Sequence, residues 1–381
     1  MPEDFQIFIK PVGAACNLRC SYCYYLEKAY LPEDQRPGTM DDETLEACVK
    51  QHFEASSDDT VMFSWHGGEP LLAGISFFRK ATEFQKQYKP EGKNVINGIQ
   101  TNGTLLNDEW CRFFKEENFL VGISIDGPEV IHNHYRRSAG GHGSFEMAMR
   151  GYDLLVRHGI TTEILCVVSS FNSSDPLRIF DFFRSAGVRY LTFLPLVVRD
   201  PSSYTGVTED SVKPAEFGKF LSAIFDEWIE NDIGTVTVQM FEEALRPAFG
   251  RDHTLCIFRQ DCGKVPVLEH NGDFYSCDHF VDPEHLIGNI YDKSLSGLLS
   301  DPGQIAFGRA KSQSLPRYCR ECEVLDMCNG ECPKNRFIRT PDGEPGLNYL
   351  CEGYKLFFNH CRPFIEVLRQ TWMNQQERGE W

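Results

Sequence analysis

Between positions 5 and 197 the sequence alternates between short apolar runs and longer amphipathic segments, and this alternation narrows the possible fold more than any other feature. FQIFI (5–9), VMFSW (61–65), VINGIQ (95–100), LVGISID (120–126), TEILCVV (162–168) and YLTFLPLV (190–197) read as strands. Helices are expected near 41–55, 74–88, 108–117, 144–158 and 176–186, and a longer one near 214–231 closes the series. Strands and helices spaced in this way call for a parallel sheet joined by helical crossovers. Six such units predict an α/β fold built as an open or partial barrel rather than a complete eight-fold one. From about position 250 long apolar runs give way to Cys, Gly and Pro. That composition suits a small domain organised by metal rather than by a large core. The expected division is 1–235 for the barrel, 236–365 for the cysteine-rich domain and 366–381 for a tail.

A chain of 381 residues with 41% hydrophobic residues can bury more than one core. Its formal net charge of −17 argues against binding a phosphate backbone or an anionic membrane surface. No stretch approaches the roughly 20 apolar residues that a membrane span needs. The opening MPEDFQIFIKPVG lacks a secretory h-region. The expectation is a soluble cytoplasmic protein with neither nucleic acid nor membrane as partner.

Fifteen cysteines are distributed unevenly: three at 16, 20 and 23, eight between 256 and 351, and four elsewhere. In a reducing compartment grouped cysteines point to metal or catalysis rather than disulfides. The four isolated ones, Cys48, Cys111, Cys166 and Cys361, sit among apolar neighbours and are expected in the core.

Function in a parallel barrel gathers on loops that follow the strands, and the distinctive motifs occupy those loops. After the first strand comes Cys16-x3-Cys20-x2-Cys23. Three thiolates can hold three irons of a 4Fe–4S cube and leave the fourth iron open to a small molecule, whereas structural zinc wants a fourth ligand that His52 or His66 would have to supply. After the second strand comes Gly67-Gly68-Glu69-Pro70, where glycine lets backbone approach a ligand closely. TNGT follows the third strand, and Ser124 and Asp126 lie near the end of the fourth. Further on, Cys256, Cys262 and Cys277 precede Cys319-x2-Cys322-x5-Cys328-x3-Cys332, and Cys351 follows. These eight thiolates make two sites of four, and two 4Fe–4S clusters or two zinc ions both satisfy the count. Asp278, directly after Cys277, is placed either to act as a general base or to serve as an ordinary solvated or capping carboxylate. His66, His132, His134, His279 and His285 receive no role.

Cys16-x3-Cys20-x-Tyr22-Cys23 followed by GGEP resembles the radical S-adenosylmethionine (SAM) signature. Cys262-x9-Gly272-x4-Cys277 with the later cysteines resembles a SPASM domain. FIKPVGAACNLRCSYCYY, WHGGEPLLAG, QTNGTLL, VGISIDGP and FYSCDHFV resemble the anaerobic sulfatase-maturating enzymes segment by segment. This resemblance implies a partial (β/α)6 radical SAM barrel followed by a SPASM domain, with SAM and three 4Fe–4S clusters as cofactors. It implies that Cys16, Cys20 and Cys23 hold the SAM-cleaving cluster, and that Tyr22, Gly68, Ser124, Arg136 and Val197 contact SAM. Cys256, Cys262, Cys277 and Cys332 would hold a first auxiliary cluster, and Cys319, Cys322, Cys328 and Cys351 a second. Asp278 would be the catalytic base. The implied reaction oxidises a Cys or Ser in a Cys/Ser-x-Pro/Ala-x-Arg motif of an unfolded sulfatase polypeptide to Cα-formylglycine, through hydrogen abstraction from Cβ by a 5′-deoxyadenosyl radical. The implied electron donor is a flavodoxin or ferredoxin. Two other readings compete: a SPASM enzyme that modifies a ribosomal peptide, and a non-enzymatic zinc-binding interaction protein.

Overall fold

A computed structural model describes residues 5–25 and 38–378. In chain order the elements are β1 (Ile7–Ile9), α1 (Asp42–Ala55), β2 (Thr60–Trp65), α2 (Ile75–Tyr88), β3 (Asn94–Thr101), α3 (Asp108–Glu116), β4 (Phe119–Ser124), α4 (Glu129–Tyr135), α5 (Phe145–Arg157) and β5 (Thr162–Val168). There follow α6 (Pro176–Ser185), β6 (Tyr190–Pro195), α7 (Pro214–Asn231), β7 (Thr237–Val238), α8 (Gln239–Leu245), β8 (Val267–Leu268), β9 (Asp273–Tyr275) and β10 (Leu286–Asn289). The six expected strands and six expected helices are all present. The short helix α4 and the strands after α7 carry no long apolar period and were not anticipated.

The chain forms two compact units, Met1–Leu165 with Gly263–Arg309, and Cys166–Cys262 with Ala310–Trp381. In the first, β1 to β5 lie side by side and parallel, with Ile7 opposite Phe63, Val61 opposite Val95, Ile99 opposite Val121 and Ile123 opposite Ile164. On the other side of β1, β8 adds in parallel, and β9 and β10 continue antiparallel. Residues 263–309 therefore return to the same sheet that carries the cysteine triad.

Local chemistry sets the helix starts. Asp41 caps α1 by accepting from the Thr44 N–H at 2.8 Å, and Asn107 caps α3 by accepting from the Trp110 N–H at 3.0 Å. α6 and α7 each begin with proline, which needs no intrahelical donor there. Behind the sheet, Trp65, Phe78, Trp110, Phe114 and Phe119 pack ring against ring, with centroids 5.0–5.6 Å apart for Trp65–Phe78, Phe78–Trp110 and Phe114–Phe119. Each such buried side chain contributes about 1.5–3 kcal/mol. Cys48, Cys111, Cys166 and Cys361 are all buried, as core cysteines should be.

In the second unit α7 crosses the C-terminal helix, Cys351–Arg378, at two glycines. A Cβ on Gly218 would meet the Gly353 carbonyl oxygen at 2.5 Å, so only glycine permits this approach. Phe217–Tyr354 and Phe225–Phe357 pack on either side of the crossing. Among the described residues, no helix is long and apolar enough to cross a membrane.

Candidate active site and cluster-binding cysteines

The loop after β1 places Cys16, Cys20 and Cys23 against the loops after the next three strands. The N–H groups of Gly68 and Glu69 donate to the carbonyls of Gly13 and Ala15, both at 2.8 Å. A Cβ on Gly68 would fall on the Ala15 carbonyl, so glycine is required here to let the two loops meet. The close backbone approach expected of the GGEP glycines is made here to the cysteine loop. The thiol of Cys16 accepts from the Leu18 N–H at 3.4 Å and from Asn102 Nδ2 at 3.8 Å. Burial pushes the Cys16 thiol up to about 12 and the Cys20 thiol up to about 11. Such thiols favour a metal, whose positive charge replaces the lost hydration of the thiolate.

Glu69 ties the second and third loops together. Its carboxylate, fully buried, accepts from Thr101 Oγ1 at 2.7 Å, the Asn102 N–H at 2.8 Å and the Leu71 N–H at 3.1 Å. Burial raises it to about 7 despite these three donors. Asn102 also donates to Asn17 Oδ1 at 2.9 Å, which closes the network back onto the cysteine loop.

Of the expected SAM contacts, Tyr22 and Arg136 converge on Asp126: the Tyr22 hydroxyl donates at 2.7 Å, and Arg136 donates through Nε at 2.8 Å and Nη2 at 3.1 Å. Ser124 is the last residue of β4, two before Asp126, and its hydroxyl accepts from Gln100 Nε2 at 3.0 Å. Val197 is buried just after β6, in the second unit.

Asp278 follows β9 in the first unit and is buried. Lys10 Nζ lies 2.6 Å from its Oδ1, and the Tyr24 hydroxyl donates to its Oδ2. Lys10 enters from β1 and sits 4.3 Å above the Tyr25 ring. Tyr24 is the residue after Cys23, so one hydrogen bond joins the carboxylate to the cysteine loop. His66 stacks on Phe8 at 3.9 Å. Its imidazole is held down to about 3 by burial and then by Lys10, with Asp278 opposing, so it is neutral near pH 7. Neither Lys10 nor Tyr24 was legible as a site residue: one lies directly after a strand and the other beside a metal motif, with no pattern linking them to position 278.

In the second unit the thiols of Cys319, Cys322, Cys328 and Cys351 line a single pocket together with Tyr318 and Lys355. Burial pushes Cys351 up to about 12 and raises the other three as well. Among the described residues no three His, Cys, Asp or Glu side chains converge as ligands of one metal ion. Four thiols ringing a pocket fit a polynuclear iron–sulfur cluster. Cys256, Cys262 and Cys332 also belong to this unit and surround Lys311, which opposes the burial cost of the Cys256 and Cys262 thiolates. Lys311 Nζ donates to the carbonyls of Cys256 at 2.9 Å and Ile257 at 2.8 Å. Cys277 lies after β9 in the first unit.

The radical SAM superfamily model matches residues 11–183, and the SPASM iron–sulfur cluster-binding domain model matches 262–323. A serine-type anaerobic sulfatase-maturating enzyme of Bacteroides thetaiotaomicron is 45% identical over 98% of this chain and 93% of its own length. A cysteine-type enzyme of Clostridium novyi is 34% identical over 93% of this chain and 95% of its own. The solved structure of native anSMEcpe with bound AdoMet and Cp18Cys peptide covers 97% of this chain and 100% of that one, with a TM-score of 0.87 and 30% identity. With relatives of this kind matching almost from end to end, and with both domain models in place, the chain belongs to the anaerobic sulfatase-maturating enzymes, radical SAM enzymes that use S-adenosylmethionine and iron–sulfur clusters.

Proposed function

We propose that this enzyme oxidises the Ser or Cys of a Cys/Ser-x-Pro/Ala-x-Arg motif in an unfolded sulfatase polypeptide to Cα-formylglycine, with Asp278 as the proton acceptor. Serine is the preferred residue, because the serine-type relatives are 45% and 36% identical and the cysteine-type ones 34% and 32%. The observation that carries the catalytic assignment is the buried Asp278 carboxylate, held by Lys10 and joined through Tyr24 to the cysteine loop. A base has to be fixed within hydrogen-bond reach of the proton it takes, and these two contacts fix Asp278.

Cys16, Cys20 and Cys23 would hold the SAM-binding cluster, Cys256, Cys262, Cys277 and Cys332 one auxiliary cluster, and Cys319, Cys322, Cys328 and Cys351 another. When bound, these groups and SAM would supply a 5′-deoxyadenosyl radical that takes a Cβ hydrogen and the one-electron oxidation that gives the aldehyde from Ser, or from Cys a thioaldehyde that water hydrolyses to the aldehyde with release of sulfide. The chain's own part is to orient and to move a proton. Tyr22, Gly68, Ser124, Arg136 and Val197 would position SAM, and Asp278 Oδ2 or Oδ1 would receive the substrate hydroxyl or thiol proton. The ammonium of Lys10 offsets the cost of burying that carboxylate. The electron donor would be a flavodoxin or ferredoxin, and the compartment the cytoplasm, where grouped thiols stay reduced.

The test uses anaerobically reconstituted protein, SAM, a reductant and peptides bearing Ser-x-Pro-x-Arg or Cys-x-Pro-x-Arg. Mass spectrometry follows the peptide and chromatography follows 5′-deoxyadenosine. Formylglycine formed in step with deoxyadenosine, faster on the Ser peptide, is expected. Asp278→Asn should keep its iron and sulfide and release deoxyadenosine without aldehyde. Normal turnover by that variant would remove Asp278 from the mechanism.

A further inference from the structure

We infer that Asp126 is a positioning residue for S-adenosylmethionine binding, setting the orientation of both Tyr22 and Arg136; the inference rests on the reading that those two residues contact SAM. Asp126 lies just past β4 and is 2% exposed. Its Oδ2 accepts from the Tyr22 hydroxyl at 2.7 Å and from Arg136 Nε at 2.8 Å, and its Oδ1 accepts from Arg136 Nη2 at 3.1 Å. Tyr22 belongs to the cysteine loop, between Cys20 and Cys23, and Arg136 caps the C-terminus of α4. One carboxylate therefore joins the end of β4 to the C-terminus of α4, ten residues on, and to the cysteine loop, 104 residues earlier in the sequence.

The geometry is that of an orienting group. A two-point contact through Nε and Nη2 fixes the plane of the guanidinium as well as its position. It occupies one edge of the fork and turns the Nη1 end, which makes no hydrogen bond among the described residues, toward any other acceptor. The Arg136 Cζ also lies 5.5 Å from the Tyr22 ring centroid, so the two Asp126 partners support each other. Backbone contacts hold the arrangement from behind. The Asp126 N–H donates to His132 Nδ1 at 3.4 Å; His132 Nε2 lies 2.9 Å from Ser144 Oγ, which donates to the Arg136 carbonyl at 2.9 Å. Arg136 is only 8% exposed. A buried cation needs a counter-charge, and Asp126 supplies one in direct contact.

The measurement is SAM affinity on the reconstituted full chain by equilibrium binding, with iron and sulfide content and the electron paramagnetic resonance spectrum of the reduced protein with and without SAM. Asp126→Asn removes the charge and keeps the shape. It is expected to retain its iron and sulfide, to bind SAM about tenfold or more weakly, and to need correspondingly more SAM for the spectral change. Because Asp126 acts through Arg136 and Tyr22 together, adding Asp126→Asn to the double variant Arg136→Gln/Tyr22→Phe should weaken binding by no more than about twofold further. Tyr22→Phe, which deletes a single hydroxyl and keeps the ring, should weaken binding severalfold and serves where Asp126→Asn fails to fold. Parent-like SAM affinity in Asp126→Asn, or in Tyr22→Phe where that variant stands in, alongside weak binding by Arg136→Gln, would overturn the inference. Parent-like binding by Arg136→Gln would instead overturn the contact reading beneath it, and the inference with it.

Discussion

Lys10 Nζ stands 2.6 Å from Asp278 Oδ1, and the two side chains are only 2% and 11% exposed. One directly follows the first strand, β1, and the other lies in the loop beyond β9. Their meeting depends on β8 and β9 adding to the far side of β1: the Lys10 N–H donates to the Leu268 carbonyl at 2.9 Å. Removing one partner of a buried ion pair leaves the other charge uncompensated, which costs on the order of 3–5 kcal/mol. Lys10→Met should therefore lower the unfolding free energy of the reconstituted enzyme by about that amount and slow aldehyde formation more than deoxyadenosine release. Urea unfolding and product ratios report on the two effects. A variant as stable as the parent would mean that the pair contributes nothing to folding.

Gly68 is the closest approach between the GGEP loop and the cysteine loop. The Cβ of an alanine there would overlap the Ala15 carbonyl, directly before Cys16. Backbone cannot yield as a flexible side chain can, so the cysteine loop must shift. Gly68→Ala should lower the iron and sulfide bound by the N-terminal triad, while Gly140→Ala, at a position without a positive φ where an added Cβ meets only side chains, the nearest that of His142 at 3.3 Å, serves as a control for added bulk in the same unit. Full loading of Gly68→Ala, measured as iron and sulfide per chain, would show that the contact is not limiting.

Two of the four thiols around Tyr318 and Lys355 also belong to the second unit's packing: Cys319, with Cys351 against it, clusters with Leu315 and Leu347. A cluster bound there would link the segment 319–328 to the start of the C-terminal helix, so its binding free energy would also be folding free energy. Cys328→Ser should lose one cluster's worth of iron and sulfide and become more sensitive to protease in the segment 315–355. Removal of iron by a chelator should produce the same cleavage pattern in the parent. Unchanged iron content in Cys328→Ser would remove this residue from the ligand set.

His52 provides a pH test away from any cysteine cluster. It is 1% exposed, packed between Phe5 and Phe63, and burial lowers its imidazole to about 3 from an ordinary 6.5. The unfolded chain therefore binds a proton that the folded one refuses between those two values. Stability from this group is complete above pH 6.5 and declines as the pH falls toward 3. Between pH 6.5 and about pH 5 the loss is roughly 2 kcal/mol. His52→Leu should remove that component, so the difference in urea midpoint between variant and parent should shift in the variant's favour on going from pH 7 to about pH 5. A difference that does not change with pH would mean His52 is protonated in the folded state or exposed.

The sequence by itself determined the strand–helix alternation, the helix starts and the grouping of the cysteines, because each depends on residues close together in the chain. Period, caps such as Asp41 and Asn107, and the spacing of Cys16, Cys20 and Cys23 are local properties. The family resemblance also lay in contiguous motifs, and it named Tyr22, Arg136 and Asp278 without saying what holds them. Only the tertiary structure decided that Asp126 joins Tyr22 to Arg136, that Glu69 binds the TNGT loop, and that Lys10 pairs with Asp278. The physical reason is that a buried charge must find its partner wherever the sheet brings one. That partner is set by strand order and register, here by β8 and β9 returning beside β1, and no spacing along the chain encodes it.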